Sequence, residues 1–422
     1  MTKIGLLNIQ QVDNYGANLI AYAMQQQVLD IIGTSNSVEI IDYRPDYTQS
    51  YLQSQKIKHL YLQYGLLYAL KKVFLKVKRA IINAVRSVEI LNEARSIFKS
   101  IYKKDDSEET YIDENAQMQR LARFEEFRQA YLNRTSICKA EDIPDLRFDA
   151  IIVGSDVVWK PQRLLSPEGN LVYFLHFPTT AKRIAYAASL GISDKAAMKR
   201  MRTRYQAAIE PFDFISIRES SGTKYVQSLF PNRTIYHCID PVFLRGEDEY
   251  CCMQTKMDYN EAFIYAYILG DNADAYKYVE NLAREKNLKV LYHVNRNVSG
   301  LDGDSTYSDG PAEFLSRVYN AKYIVTDSFH GTAFSIIFRK QFFAFTRGIL
   351  SVRLENFLTQ IGLASRLLKT VHEDTNIDET IPYDDVWKVL DIWIEESKNY
   401  LRKALFMEEI YENNCDHAYK TK

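Results

Sequence analysis

The feature that most constrains this chain is a repeated alternation of short apolar runs with longer helical stretches. Residues 3–8 form one such run, a polar loop containing Gly16 follows, and residues 17–32 carry helical spacing. Val38-Glu39-Ile40-Ile41-Asp42-Tyr43 is the next run, stopped by Pro45. Strand, helix and strand in that order predict parallel neighbours, because a parallel return needs a crossover about that long. Further buried-strand candidates are 148–153, ending at Gly154, then 183–188, then 214–218 with a helix from Ser220. A second alternation follows: strand 263–269, helix 273–287, strand 289–294, helix 312–320, strand 323–326, a helix from Gly331 and strand 342–345. At 422 residues the chain exceeds what one hydrophobic core usually organises. The expected class is therefore α/β, with two Rossmann-like doubly wound domains at 1–245 and 246–382. Helices in 383–422 are placed to pack back on the first domain.

One stretch breaks the rhythm. Residues 55–135 read as a helical insertion, and between 55 and 104 the only acids are Glu89 and Glu93 among many lysines and arginines. Leu67, Leu70, Val73, Phe74, Val77, Ile81 and Val85 recur there at helical spacing. Such a basic amphipathic region serves either as a charged cover on the fold or as a peripheral membrane contact. Over the whole chain the 53 basic and 54 acidic residues nearly cancel, which argues against nucleic acid as a partner. The five cysteines are odd in number and lack C-x-x-C spacing, so neither a disulfide framework nor a zinc site is expected. The first apolar run is too short for a signal segment and no run of about 18 apolar residues occurs, so a cytoplasmic protein is expected.

In parallel sheets ligands bind beyond the carboxyl ends of strands, and four loops there are rich in polar groups. In the first, Asn14, Tyr15 and Gly16 are either a ligand loop or a helix cap with a packing ring. In the second, Ser155, Asp156 and Trp159 offer the hydroxyl, carboxylate and stacking face that a sugar uses, or else a cap and a core indole. The third sets Arg218 beside a helix start, suited to an anion or to a plain ion pair; the following Asp240-Pro241 reads as turn chemistry. The fourth is Thr326-Asp327-Ser328-Phe329-His330-Gly331-Thr332, where a strand hands a histidine to a helix N-terminus that attracts phosphate. His330 has the pKa range for proton transfer near neutrality.

These motifs, with Ile40-Ile41-Asp42-Tyr43-Arg44-Pro45, Ala185-Tyr186-Ala187-Ala188-Ser189-Leu190-Gly191 and Ile217-Arg218-Glu219, occur in an order that resembles the polysaccharide pyruvyl transferases. The resemblance spans most of residues 4–345. It implies a fold similar to the B-type glycosyltransferases, with the active site between two domains. It also implies phosphoenolpyruvate as donor and a sugar as acceptor, joined as a pyruvate ketal, with no cofactor or obligatory metal. His330 is then the catalytic acid/base. Arg218, Ser328, Gly331 and Thr332 would hold the donor, and Asn14, Tyr15, Gly16, Ser155, Asp156 and Trp159 the acceptor. The first domain is accordingly read as the acceptor side and the second as the donor side. Two departures matter. Many members carry Arg-Leu-His-Gly where this chain has Ser328-Phe329-His330-Gly331, so either Arg218, Arg347 or Arg353 supplies the missing charge or the donor is held differently. Val157 and Lys160 also replace a Gln and an Asn common after Gly-Ser-Asp. A lipid-diphosphate-linked oligosaccharide would suit as acceptor if the basic stretch 55–104 meets a membrane. Two rivals share these features: a nucleotide-sugar glycosyltransferase of the same fold, and a non-enzymatic scaffold in capsule assembly.

Overall fold

A computed structural model describes residues 2–44, 114–161, 164, 171–191, 195–294, 302–346, 351–371 and 376–406. The basic stretch 55–104 and Arg347 lie outside them.

Among the described residues, twelve strands form two six-stranded parallel sheets. The first contains β1 Lys3–Leu7, β2 Ser37–Ile40, β3 Ala150–Val153, β4 Lys182–Ala188, β5 Phe214–Ile217 and β6 Tyr236–His237, in the order β2-β1-β3-β4-β5-β6. The second contains β7 Phe263–Tyr267, β8 Lys289–Tyr292, β9 Asp304–Ser305, β10 Tyr323–Thr326, β11 Gln341–Phe345 and β12 Leu367–Leu368, in the order β12-β11-β10-β7-β8-β9. Every residue of β3, β7 and β10 is buried. Helices cover both faces, so these strands are apolar runs rather than alternating ones.

The two orders differ. Counted from its own first strand, the second sheet runs 3-2-1-4-5-6, the dinucleotide-binding Rossmann order, whereas the first runs 2-1-3-4-5-6, a flavodoxin-like order with one strand added. Each has one point where the strand order reverses, between β1 and β3 in the first sheet and between β7 and β10 in the second. The loops after those four strands are where a ligand crevice opens.

The helices are α1 Tyr15–Ile32, α2 Glu114–Tyr131, α3 Lys195–Ile209, α4 Ser220–Leu229, α5 Glu247–Cys252, α6 Ala273–Lys286, α7 Pro311–Asn320, α8 Phe329–Ile337, α9 Ser351–Gln360 and α10 Tyr383–Phe406. The α1 helix starts where the Asn14 side chain accepts the Ala17 N–H and stops at Gly33, whose φ is 85°. The α10 helix begins on the second domain, where the Tyr383 hydroxyl donates to the Ser335 carbonyl, and finishes on the first. There Trp393 donates to the His237 carbonyl, Ser397 accepts the Ile239 N–H, and Tyr400 donates to the Ala185 carbonyl.

One apolar cluster joins the domains. It runs from Leu6 and Ile40 of the first sheet through Leu19 and Met24 of α1 to Phe314, Ile324 and Phe334 of the second domain. The described part of the insertion, α2, lies across this junction: Arg128 donates to the Gln10 carbonyl and to Asn18, and Arg123 donates to the Ser308 carbonyl. No helix among the described residues is long and apolar enough to cross a membrane.

Candidate active site

The two reversal points face each other, and a cavity of about 170 Å³ lies between them. Its lining brings Asn14, Asp156 and Arg218 of the first domain against Leu269, Asp327, Ser328, Phe329, His330 and Arg353 of the second. His330 is the second residue of α8, whose N-cap Ser328 accepts the Gly331 N–H, so the N-terminal turn of the helix faces the cavity. His330 is 8% exposed, and its Nε2 is buried with no hydrogen-bond partner. Asp240 Oδ2 lies 3.8 Å from that nitrogen. The ring's other edge rests on α1: a Cβ at Gly16 would sit 2.1 Å from His330 Nδ1, so only glycine permits this approach. A buried polar atom without a partner carries a free-energy cost, and one that lines a cavity points to a role there.

Two arginines converge on the same space and differ in commitment. Arg218 makes a 2.6 Å ion pair with Asp240, which also accepts the Val242 N–H and lies 3.4 Å from the Ser155 hydroxyl. Arg353 is 3.9 Å from Glu219, a carboxylate that already accepts the Ser189 hydroxyl. Burial weakens the charge of both. For Arg218 the carboxylates of Asp240, Glu219 and Asp156 reverse that and raise its pKa, whereas for Arg353 repulsion by Arg218 adds to burial and lowers it. Arg353 is an under-compensated cation beside another cation, which favours an incoming anion.

Burial also pushes the His330 pKa down. Asp240 and Asp156 oppose it, Arg218 and Arg353 reinforce it, and the result lies below the ordinary histidine value. Asp156 moves down as well: burial would raise it, but Arg218, His330, Arg353 and the Val157 N–H outweigh burial. Its carboxylate is carried on a left-handed residue, φ 62°, just past Gly154. Gly154 itself, at φ 130°, leaves no room for a side chain, because a Cβ there would meet the Tyr186 carbonyl at 2.0 Å.

Several residues expected at the site have other work. Trp159 is fully buried, stacks on Phe174 at 5.4 Å and donates its indole N–H to the Tyr173 carbonyl, so it offers no face to a sugar. Tyr15 is fully buried between Phe124 and Phe314. Ser155 is enclosed and donates to the Ala187 carbonyl. Thr332 is buried and donates to the Ser328 carbonyl, a bond within α8. Gly331 is small because a Cβ would strike Thr326 and Tyr267, not to admit a ligand. Asn14 does line the cavity, although its side-chain oxygen caps α1. In the sequence Asp240 shows only turn chemistry. It follows β6, so the rule that strand-end loops carry the ligand groups was enough to flag it.

Beside the small cavity lies a cleft of about 990 Å³, and Asn14 and Leu269 line both. The back of this cleft is a buried polar cluster. Arg120 of α2 donates to the Tyr15 hydroxyl at 2.7 Å and to the carbonyls of Asp13, Tyr307 and Asp309. His293 lies 3.3 Å from the same hydroxyl, and burial followed by Arg120 lowers its pKa to about 3. Among the described residues no group of three His, Cys, Asp or Glu side chains is arranged to hold a metal ion.

A family model for polysaccharide pyruvyl transferase matches residues 14–348 of the chain. No curated protein matches it. Among solved structures, the UDP-GlcNAc 2-epimerase from Neisseria meningitidis bound to UDP-GlcNAc is similar at 8% identity, covering 96% of this chain and 94% of that one, with a TM-score of 0.43. The S. aureus MnaA–UDP co-structure gives 10% identity, 96% and 91% coverage and a TM-score of 0.46. The glycosyltransferase SnogD from Streptomyces nogalater gives 10%, 96%, 98% and 0.43.

Proposed function

The chain belongs to the polysaccharide pyruvyl transferase family, and from that premise we propose that it moves the pyruvyl group of phosphoenolpyruvate onto a sugar of a surface-polysaccharide precursor, forming a ketal and releasing phosphate. The observation that carries this reading is the unpartnered Nε2 of His330, turned into a small cavity on which Arg218 and Arg353 converge. A compact polyanion bearing a phosphate and a carboxylate fits two guanidinium groups and a helix N-terminus.

In this mechanism a proton passes from His330 to the methylene carbon of the donor, and C2 becomes oxocarbenium-like. A sugar hydroxyl attacks C2 and loses its proton. The bond from C2 to the phosphate oxygen breaks, phosphate leaves, and a second hydroxyl closes the ketal with loss of its own proton. An acid is needed first, yet burial and two arginines hold His330 neutral near pH 7. The donor resolves this: its negative charges offset Arg218 and Arg353, and the imidazole then takes up a proton as the donor binds. Asp240, at 3.8 Å, stabilises the resulting imidazolium. The scheme runs without a metal, and turnover abolished by a chelator and restored only by a divalent cation would overturn that part.

A lipid-diphosphate-linked oligosaccharide remains our proposal for the natural acceptor, and a cytoplasmic enzyme at the membrane surface our proposal for its setting. The reading is tested by incubating the protein with phosphoenolpyruvate and candidate sugars, measuring phosphate release and the mass of each sugar. Release that depends on the sugar, with a pyruvylated product, is expected. Thermal stabilisation by nucleotide sugars but not by phosphoenolpyruvate would favour a glycosyltransferase instead.

A further inference from the structure

The small cavity accounts for a donor, but nothing so far accounts for the cleft of about 990 Å³ beside it. That cleft lies over the second sheet, lined by the residues that follow β7, β8 and β11. Its volume is at the upper end of the roughly 300–1,000 Å³ of small-molecule sites, several times the neighbouring chamber. It therefore suits an extended ligand rather than a single ring. It also opens where that ligand needs to go, because Asn14 and Leu269 belong to both chambers. Leu269 is fixed there by its N–H bond to Asp327, 2.7 Å long.

The chemistry of the walls narrows the class. Asp13, Asp271 and Asp274 contribute carboxylates, and Tyr276 and Tyr307 are half-buried aromatic walls. Carboxylates accept hydrogen bonds from hydroxyl groups, and ring faces pack on the C–H faces of sugars. Of the two cations in the lining, Arg120 turns its donors to Tyr15 and three backbone carbonyls, none of which cancels its charge, and Lys369 is exposed; Arg128, outside the lining, pairs with Asp13 at 2.8 Å. With that pair counted, three cations stand against three acids, so the walls offer a phosphate-rich ligand no net attraction. We propose that this cleft is an acceptor subsite for two or more neutral sugar residues, borne by the second domain, while the donor is gripped across the gap by Arg218 of the first. This rests on the transfer reaction proposed above and places the acceptor on the opposite side from the one expected from sequence.

The test uses the full chain and trisaccharides of galactose, mannose and N-acetylglucosamine, with the matching monosaccharides. Binding is read first without donor, by ligand-observed NMR. At least one trisaccharide should bind at least tenfold more tightly than its monosaccharide. Asp271→Asn and Tyr276→Ala should each erase most of that difference, about tenfold for a lost charge-assisted bond or stacking face. Where a sugar is also pyruvylated, those variants should raise KM for the trisaccharide about tenfold and leave KM for phosphoenolpyruvate within twofold. If Tyr276→Ala fails to fold, the exposed Asp271→Asn still decides. Trisaccharides that do not bind the wild type, or variants that change KM for phosphoenolpyruvate instead, would overturn the assignment. Trisaccharide binding without any phosphoenolpyruvate-dependent transfer would keep the cleft and reject the donor.

Discussion

The two chambers between the sheets are built from the same kind of loop and reach opposite chemistries. In the small one, charges are buried and balanced across the domain boundary: Arg218 against Asp240, Arg353 near Glu219, His330 unpartnered between them. In the large one, Asp271 and Lys369 stand exposed and the buried members, Arg120 and His293, are held by each other's partner Tyr15. Exclusion of water strengthens every interaction in the first and leaves the second governed by many weak ones. One chamber is suited to moving a proton, the other to holding a substrate.

The contrast is broken most sharply at His330. His330→Gln should lower kcat roughly 100- to 10,000-fold with little loss of stability, since Nε2 makes no hydrogen bond in the free protein. Steady-state rates alongside thermal unfolding check this, and a variant within a few-fold of wild type would remove His330 from the chemistry.

The two arginines should part company next. Arg218→Ala leaves Asp240 buried without its ion-pair partner and should cost about 3–5 kcal/mol of stability, read by denaturant unfolding. Arg353→Gln should barely change stability and instead raise KM for phosphoenolpyruvate about 10- to 100-fold, as expected for the loss of a charge-assisted contact. Equal effects of the two would erase the distinction between committed and waiting charge.

Donor binding should be linked to proton uptake by His330. The free imidazole lies below its ordinary pKa, and the bound anion raises it. Affinity for phosphoenolpyruvate should then fall as pH rises through the interval between the free and bound values. Calorimetric titration in two buffers of different ionisation enthalpy measures the uptake, and His330→Gln should take up fewer protons than wild type.

A last effect belongs to the large chamber. His293 has a folded pKa of about 3, below the roughly 6.5 of an unfolded histidine. The unfolded chain therefore binds the extra proton between those values. The His293 contribution is fully present above about pH 6.5 and is lost as pH falls toward 3, by at most about 1.4 kcal/mol per pH unit. His293→Gln should flatten the acid side of a stability–pH curve by that amount. An unchanged slope would mean that His293 is not held neutral.

Much of the frame was legible from apolar runs. The runs at 3–8, 183–188, 214–218, 263–269, 323–326 and 342–345 coincide with strands, because strands buried on both faces need continuous apolar residues. The two-residue strands β6, β9 and β12 carry no such signal and were missed. The site was legible in part: the loops were found by their position after strands, and His330, Arg218, Arg353, Asp156 and Asn14 do meet. Trp159 and Tyr15 take the core alternative, which the sequence leaves open because an aromatic ring beside polar residues reads alike whether it turns toward ligand or core.

By itself the sequence determined two parallel α/β units, the strand-end loops that bear the chemistry, and a histidine at a helix start. These are local properties, set by periodicity, by capping and by which groups a short loop carries. Only the tertiary structure decided which of those groups meet. The contacts of His330 with Gly16 and Asp240, and the choice of Arg218 rather than Arg353 as partner of Asp240, come from two domains whose strand-end loops face each other. Charges placed by separate domains are paired or left waiting by burial and distance, and neither is written in the spacing of a single loop.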